Sequence, residues 1–394
     1  MSSNGLLGKL VEDLEAPADA RWFGSGWLAG FFGVLLAVTG LAMVIALRFP
    51  DWMATPELDV VRAWPGFRGA LHLILLAAYA LSLLSMLLRS RKILGVIGLL
   101  VALGATLLGA ANAEASEVRS WGIFFGLDFF MVNLLATGFM FAPLERFVPH
   151  RREQRLFRTE WREDLFYFLV SSMFVQLLGF LALAPSSVIN ASTGSFDALR
   201  ANIAALPWLV QFVIVIVASD FVQYWFHRAF HRVPFLWGFH AVHHSAQSMD
   251  WLAGSRMHFI EIILLRSITS LPLFTIGFSP AVMQAYIGFV YVWSSLLHAN
   301  VKGDFDGLGH WVATPRFHHW HHGLEEEAID VNFAIHLPLL DKMFGTFHLP
   351  KGRWPKDYGI PEVVPRSYWG QFLFPWHRHR NGKVPVTASP GDGI

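Results

Sequence analysis

Apolar runs of about 20 residues, separated by short polar stretches, dominate the chain from residue 26 onward. At 1.5 Å per residue, roughly 20 mostly apolar positions carry a helix across a bilayer. The pattern predicts spans near 26–48, 69–88, 93–113, 122–143, 164–184 and 207–227, then a helical pair at about 259–279 and 282–299. Glu261, Arg266 and Pro272 interrupt the first member of that pair. An isolated arginine at mid-bilayer depth costs at least ~2.5 kcal/mol. Arg266 is therefore expected to face protein or water, or else the pair forms a hairpin that does not fully cross.

The charges between the runs set an orientation. Arg89, Arg91 and Lys92 follow the second run, and Arg146, Arg151, Arg152, Arg155, Arg158 and Arg162 follow the fourth. Loops after the first and third runs mix Asp51, Glu57, Asp59, Glu114 and Glu117 with isolated arginines. Positive residues favour the cytoplasmic side, so the N terminus, the end of the sixth run and the histidine-rich sequence after it are expected there. The fold class that follows is an all-α membrane protein: a transmembrane helical bundle with a cytoplasmic, histidine-rich helical cap. Three regions are expected: an N-terminal extension of about three spans (1–120), a catalytic domain (121–350) and a C-terminal cytoplasmic tail (351–394), Gly/Pro-rich and disordered from 380.

Composition narrows the chemistry. A net charge of +1 excludes a strongly basic nucleic-acid binder. The absence of cysteine excludes disulfides, thiolate zinc sites, Cys-ligated iron–sulfur clusters and Cys nucleophiles. Any metal must rest on His, carboxylate or carbonyl ligands, and of 18 histidines 14 lie between residues 227 and 348. Three clusters stand out: His227 and His231, four apart; His240, His243 and His244; and His318, His321 and His322. Spacings of three and four share a helix face, so each cluster can present its rings together. Asp220 and Tyr224 fall on the face of the first pair, where a carboxylate could take the free N–H of a liganding ring. Eight imidazoles exceed the needs of one zinc ion and suit two metals. Spacing alone leaves Fe, Zn, Cu and Ni open, with iron preferred.

At these residues the chain resembles the fatty acid hydroxylase/sterol desaturase family of membrane di-iron enzymes. The pattern His-x3-His, His-x2-His-His, His-x2-His-His matches the three clusters. So does the surrounding text: Asp220-Phe, Phe239-His-Ala-Val-His-His-Ser, Thr314-Pro, Asn332-Phe and Asp341-Lys-Met-Phe-Gly-Thr. The likeness runs from near Leu144 to near Pro350, about half the chain. It implies a further ligand at His298, a ligand or supporting role for His258, and a variable, solvent-facing position at His319. His310, His336 and His348 are expected to be structural or substrate-lining, and His72, His150, His377 and His379 unrelated.

The resemblance implies two Fe ions that use O2 and external electrons to hydroxylate a lipid C–H bond on a fatty acyl chain, a sterol or a related molecule. Desaturation by the same ligand set is the alternative. A membrane metal transporter would need ligands spread along the spans, and a bis-His haem protein would leave six or more histidines unexplained. No cytochrome b5-like His-Pro-Gly-Gly, no Gly-rich dinucleotide fingerprint and no cysteine is present. No bound organic cofactor is therefore expected, and electrons should come from a separate donor protein. The basic segment Arg146 to Arg162 is a candidate docking surface or a positive-inside anchor on anionic lipid. The expected location is a bacterial inner membrane or the endoplasmic reticulum.

Overall fold

The computed structural model describes residues 5–50, 61–114, 127–173, 188, 197–303 and 306–381. Among them the chain is helical, with isolated bridges such as Pro149 to Val301 and no strand. Five helices are long and apolar enough to cross a membrane: Trp27–Arg48, Gly66–Leu88, Ile93–Asn112, Trp208–Arg232 and Phe259–Ile276. Five of the expected spans are thus present. The expected runs at 122–143 and 164–184 lie partly outside the described residues, and the end of the expected disordered tail, 382–394, lies wholly outside them. Helix Pro280–His298 also forms as expected.

The chain divides into two compact units. The first comprises Met1–Met140 with two short later segments. Its helices α1 (Leu6–Leu14), α2 (Trp27–Arg48), α3 (Gly66–Leu88) and α4 (Ile93–Leu107) pack through small residues. Gly33 of α2 lies so close to α3 that a Cβ there would sit 2.7 Å from Ser82 Oγ. Ala37, Ala78 and Ala102 extend the same seam. Small residues let helices approach within lipid, where no hydrophobic force drives them together. The Trp27 indole donates to the Asp13 carbonyl at 2.8 Å, and the Asp13 carboxylate pairs with Arg89.

Helices α5 (Leu127–Phe147) and α6 (Trp161–Met173) precede the short α7 (Asp197–Ala204). The second unit then runs through α8 (Trp208–Arg232), α9 (Pro234–His244), α10 (Phe259–Ile276), α11 (Pro280–His298), α12 (Pro315–His321), α13 (Leu339–Phe344) and α14 (Tyr368–Asn381). Its helix starts are written in the sequence. Proline opens α9, α11 and α12, where a missing N–H costs nothing. Ser279 and Thr314 cap the first turns of α11 and α12. Gly277, at φ +100, ends α10 and turns the chain toward α11. Arg266 of α10 faces protein, donating to the Tyr291 hydroxyl at 2.7 Å.

A buried ionic network ties the start of α6 to the loop after α9. Arg158 pairs with Asp250 at 2.6 Å and with Asp164, and Arg256 meets Asp164 at 2.5 Å. Arg158 therefore does not belong to any basic surface between Arg146 and Arg162, whereas Arg152, Arg155 and Arg162 are exposed.

Candidate metal centre

The three histidine clusters and His298 converge within the second unit. The last two turns of α8 carry His227 and His231, α9 carries His240, His243 and His244, α11 ends on His298, and α12 supplies His318, His321 and the adjoining His322. Their rings form two groups, each with ligand atoms within 4.8 Å of one another: His227, His231, His240, His244 and His321 in one, His243, His298, His318 and His322 in the other. Each trio is shared between the groups. His240 and His244 lie i and i+4 on α9, while His243 is turned about 100° from His244 and reaches the second group. On α12 the assignment is reversed, with His318 and His322 in the second group and His321 in the first.

The ring nitrogens meet edge to edge. Nε2 of His227 lies 3.0 Å from Nε2 of His240, which lies 3.2 Å from Nε2 of His244. In the second group Nε2 of His298 lies 3.3 Å from that of His243 and 3.0 Å from that of His318. Several of these nitrogens hold lone pairs, because the opposite nitrogen is committed as a donor. Nδ1–H donates to the Phe333 carbonyl from His227 (2.8 Å), to Arg256 from His243 (2.9 Å), to Ser294 from His298 (2.7 Å) and to Val331 from His321 (2.7 Å). His240 gives its Nδ1–H to the Glu261 carboxylate at 2.6 Å. Lone pairs facing at 3.0–3.3 Å repel unless a cation lies between them. Ligands at roughly 2.1 Å from a metal are about 3.0 Å apart at right angles and about 3.4 Å apart in a tetrahedron, so the spacing fits. Nε2 of His231 and His321 are buried without a partner among the described residues.

Electrostatics favour the same reading. Burial, reinforced by neighbouring imidazoles, holds His243, His244, His318 and His322 well below the usual 6.5, and burial holds His321 down to about 3. Uncharged rings are the form that binds metal. Glu261, 3% exposed, places a buried carboxyl group beside them, and its Oε2 has no hydrogen-bond partner among the described residues. A buried carboxylate is costly without compensation, and a cation in the first group would provide it.

The residues expected to support the ligands have other tasks. Asp220 touches no ligand ring: its carboxylate accepts the backbone N–H groups of Ile335 (2.9 Å), His336 (3.0 Å) and Leu337 (2.7 Å). Asn332 and Asp341 clamp the same segment. Asn332 donates to the carbonyls of Phe317 and His348, and Asp341 accepts from Phe333 and Ala334. This segment presents the Phe333 carbonyl that fixes His227. Tyr224 packs edge-on against Phe333 and bonds Thr346 at 2.9 Å.

His258 lies in neither group. Its Nδ1 caps α10 by accepting from Ile260, and its Nε2–H donates to Phe372. His319 is not solvent-facing. It is 1% exposed, with Nδ1 against the Tyr358 hydroxyl (2.7 Å) and Nε2 toward the His298 carbonyl (3.3 Å). The carboxylate expected from Asp220 comes instead from Glu261, which the sequence presents only as a break in an apolar run.

A cavity of about 130 Å³ opens onto both groups, lined by His227 and His240 of the first and by His243, His298 and His318 of the second. Phe226, Met257, Leu265, Val290, Trp293 and Leu297 make its remaining wall mostly apolar.

Comparison with known proteins agrees. Residues 212–346, which contain all nine rings, match the family model for fatty acid hydroxylase. The chain is 30% identical over 279 residues to ornithine lipid hydroxylase OlsE of Rhizobium tropici, covering 70% of this chain and 81% of that protein. It is 32% identical over 141 residues to alkylglycerol monooxygenase of Homo sapiens, covering 36% of this chain and 31% of that protein. It is 27% identical over 150 residues to methylsterol monooxygenase 1-3 of Arabidopsis thaliana, covering 35% of this chain and 48% of that protein. Against these last two, the chain spans less than half the relative's length. No solved structure matches. With its apolar helices, its paired histidine groups and these relatives, the chain is an integral membrane protein with a metal centre, and it belongs to the fatty acid hydroxylase family.

Proposed function

We propose that this protein is a membrane-bound oxidoreductase that hydroxylates a C–H bond of a lipid, using O2, two iron ions and electrons from a separate donor protein. The observation that carries the reading is the pair of imidazole groups opening on one apolar cavity. His227, His231, His240, His244 and His321 would hold one ion, and His243, His298, His318 and His322 the other. An iron pair bound there would supply the activation of O2 for attack on an unactivated C–H bond. One oxygen atom enters the C–H bond and the other leaves as water, consuming two electrons and two protons from outside.

The chain's own residues do the remaining work. Carbonyl and carboxylate partners hold the rings in one tautomer, which preorganises the ligand set. The apolar wall excludes water and receives the hydrocarbon. Residues 121–350 are proposed as the catalytic portion. The alternation of basic loops supports a cytoplasmic location for the centre, and a site at membrane depth suits substrates that arrive from the bilayer. The names of the relatives, each a lipid hydroxylase or monooxygenase, support the substrate class.

Lipid mass spectrometry on cells producing the wild-type chain or His243→Ala tests the proposal. A lipid that gains one oxygen only with the wild type is the expected result. A loss of two hydrogens instead would reassign the activity to desaturation. An unchanged lipid profile in a host able to supply electrons would contradict both.

A further inference from the structure

The cavity wall is apolar except at a few points, and one of them lies apart from the metal-binding rings and their partners. Gln223 of α8 lines the cavity and is 8% exposed. Its amide donates to the Tyr286 hydroxyl at 3.2 Å, and that hydroxyl lies 3.3 Å from Nε2 of His336. Among the described residues its carboxamide oxygen has no protein partner. An uncharged amide buried in an apolar pocket is costly unless its hydrogen bonds are completed. Nothing in the arrangement of the histidines requires it.

Resting on the hydroxylase reading above, we infer that Gln223 is a specificity-determining residue whose carboxamide oxygen takes a hydrogen bond from a hydroxyl or amide N–H of the lipid. Two lengths define the substrate class. Gln223 and His227 are i and i+4 on α8, so their positions are about 6 Å apart along the helix. The cavity, at about 130 Å³, is close to the roughly 150 Å³ that holds a benzene-sized guest. Only a short fragment of a lipid fits beside the rings, and that fragment must contain both the polar group and the carbon attacked. The substrate is thus a lipid oxidised within about five bonds of a hydrogen-bond donor, near a head group or hydroxylated branch. Attack deep in a plain alkyl chain does not fit. Tyr286 holds the carboxamide in place and is a positioning residue.

The test uses the full chain produced in a bacterial host, with the metal content of each purified variant measured alongside. Tandem mass spectrometry of the host lipids locates the added oxygen for wild type, Gln223→Met, Gln223→Glu and Tyr286→Phe. The expected wild-type product carries its new oxygen within about five bonds of a hydroxyl or amide. Gln223→Met lowers that product at least about fivefold, the scale of one neutral hydrogen bond, or moves the oxygen, with metal content unchanged. Gln223→Glu, which keeps an acceptor, restores it, and Tyr286→Phe gives an intermediate loss. The inference is overturned by a wild-type oxygen remote from any polar group, by an unchanged product from Gln223→Met, or by loss of metal in that variant, which would make Gln223 merely structural. A metal-loaded wild type that oxidises no lipid would instead sink the hydroxylase reading itself, and this inference with it.

Discussion

Replacing Glu261 by glutamine changes one charge at the edge of the centre and little else. The carboxylate receives Nδ1–H of His240 at 2.6 Å, and both side chains are buried. Glutamine keeps an acceptor of the same reach, so the ring can stay in place. What is lost is the difference between a charge-assisted and a neutral hydrogen bond, about 1–1.5 kcal/mol, together with the attraction of the anion for a cation across the imidazole. Partners of liganding histidines typically contribute about 10–100-fold in metal affinity, or about 1.4–2.7 kcal/mol. Because His240 belongs to only one group, the loss should be selective. Dialysis against a graded chelator, with metal measured per chain, should show one ion released at about 10–100-fold lower chelator strength and the other held as in the wild type. Equal weakening of both ions, or no weakening, would refute the assignment of Glu261 to the first group.

Other residues separate structural from metal-binding roles. Asp220→Ala strands three backbone N–H groups at about 1–3 kcal/mol each where buried, so the chain should fail to accumulate in membranes; normal accumulation would contradict the clamp. Asp220→Asn keeps acceptor capacity and should lower the unfolding midpoint in detergent without preventing folding. His258→Ala removes the cap of α10 and the bond to Phe372; it should cost about 1 kcal/mol of stability while leaving the metal count unchanged, and loss of metal with no loss of stability would return His258 to the ligand set. The metal-free protein should also lose stability in acid. His321 is held down to about 3 against an ordinary 6.5, so its contribution is complete above pH 6.5 and declines as pH falls toward 3, where the unfolded chain binds more protons. Thermal unfolding of the metal-free protein in detergent across that range should show the decline, and a flat profile would contradict it.

The spacing of the histidines made the three converging clusters legible, and long apolar runs made five membrane helices legible. Arg266 followed the physical expectation that a charge inside an apolar helix turns toward protein. What linear spacing could not resolve is how each trio divides. Residues three and four apart share a broad face, yet His243 and His244 are about 100° apart on α9, enough to join different groups. The partners that hold the rings were invisible for another reason. Phe333, Val331, Arg256 and Ser294 act through backbone carbonyls, which any residue possesses. Glu261 left a signal of a kind: a lone carboxylate in an apolar run needs a buried partner. His258, three residues before Glu261, stands where a helix cap belongs. His319 faces Tyr358 and not water because α12 is buried along its whole length, which spacing along the chain does not reveal.

The proposed chemistry requires two neighbouring cations held by imidazole alone. Quantifying metal per chain on the purified full-length protein, produced in iron-replete medium, addresses that directly. Two iron ions per chain are expected, with about one remaining when His244 or His322 is replaced by alanine. One ion or none in the wild type, in a folded and monodisperse preparation, would contradict the paired centre.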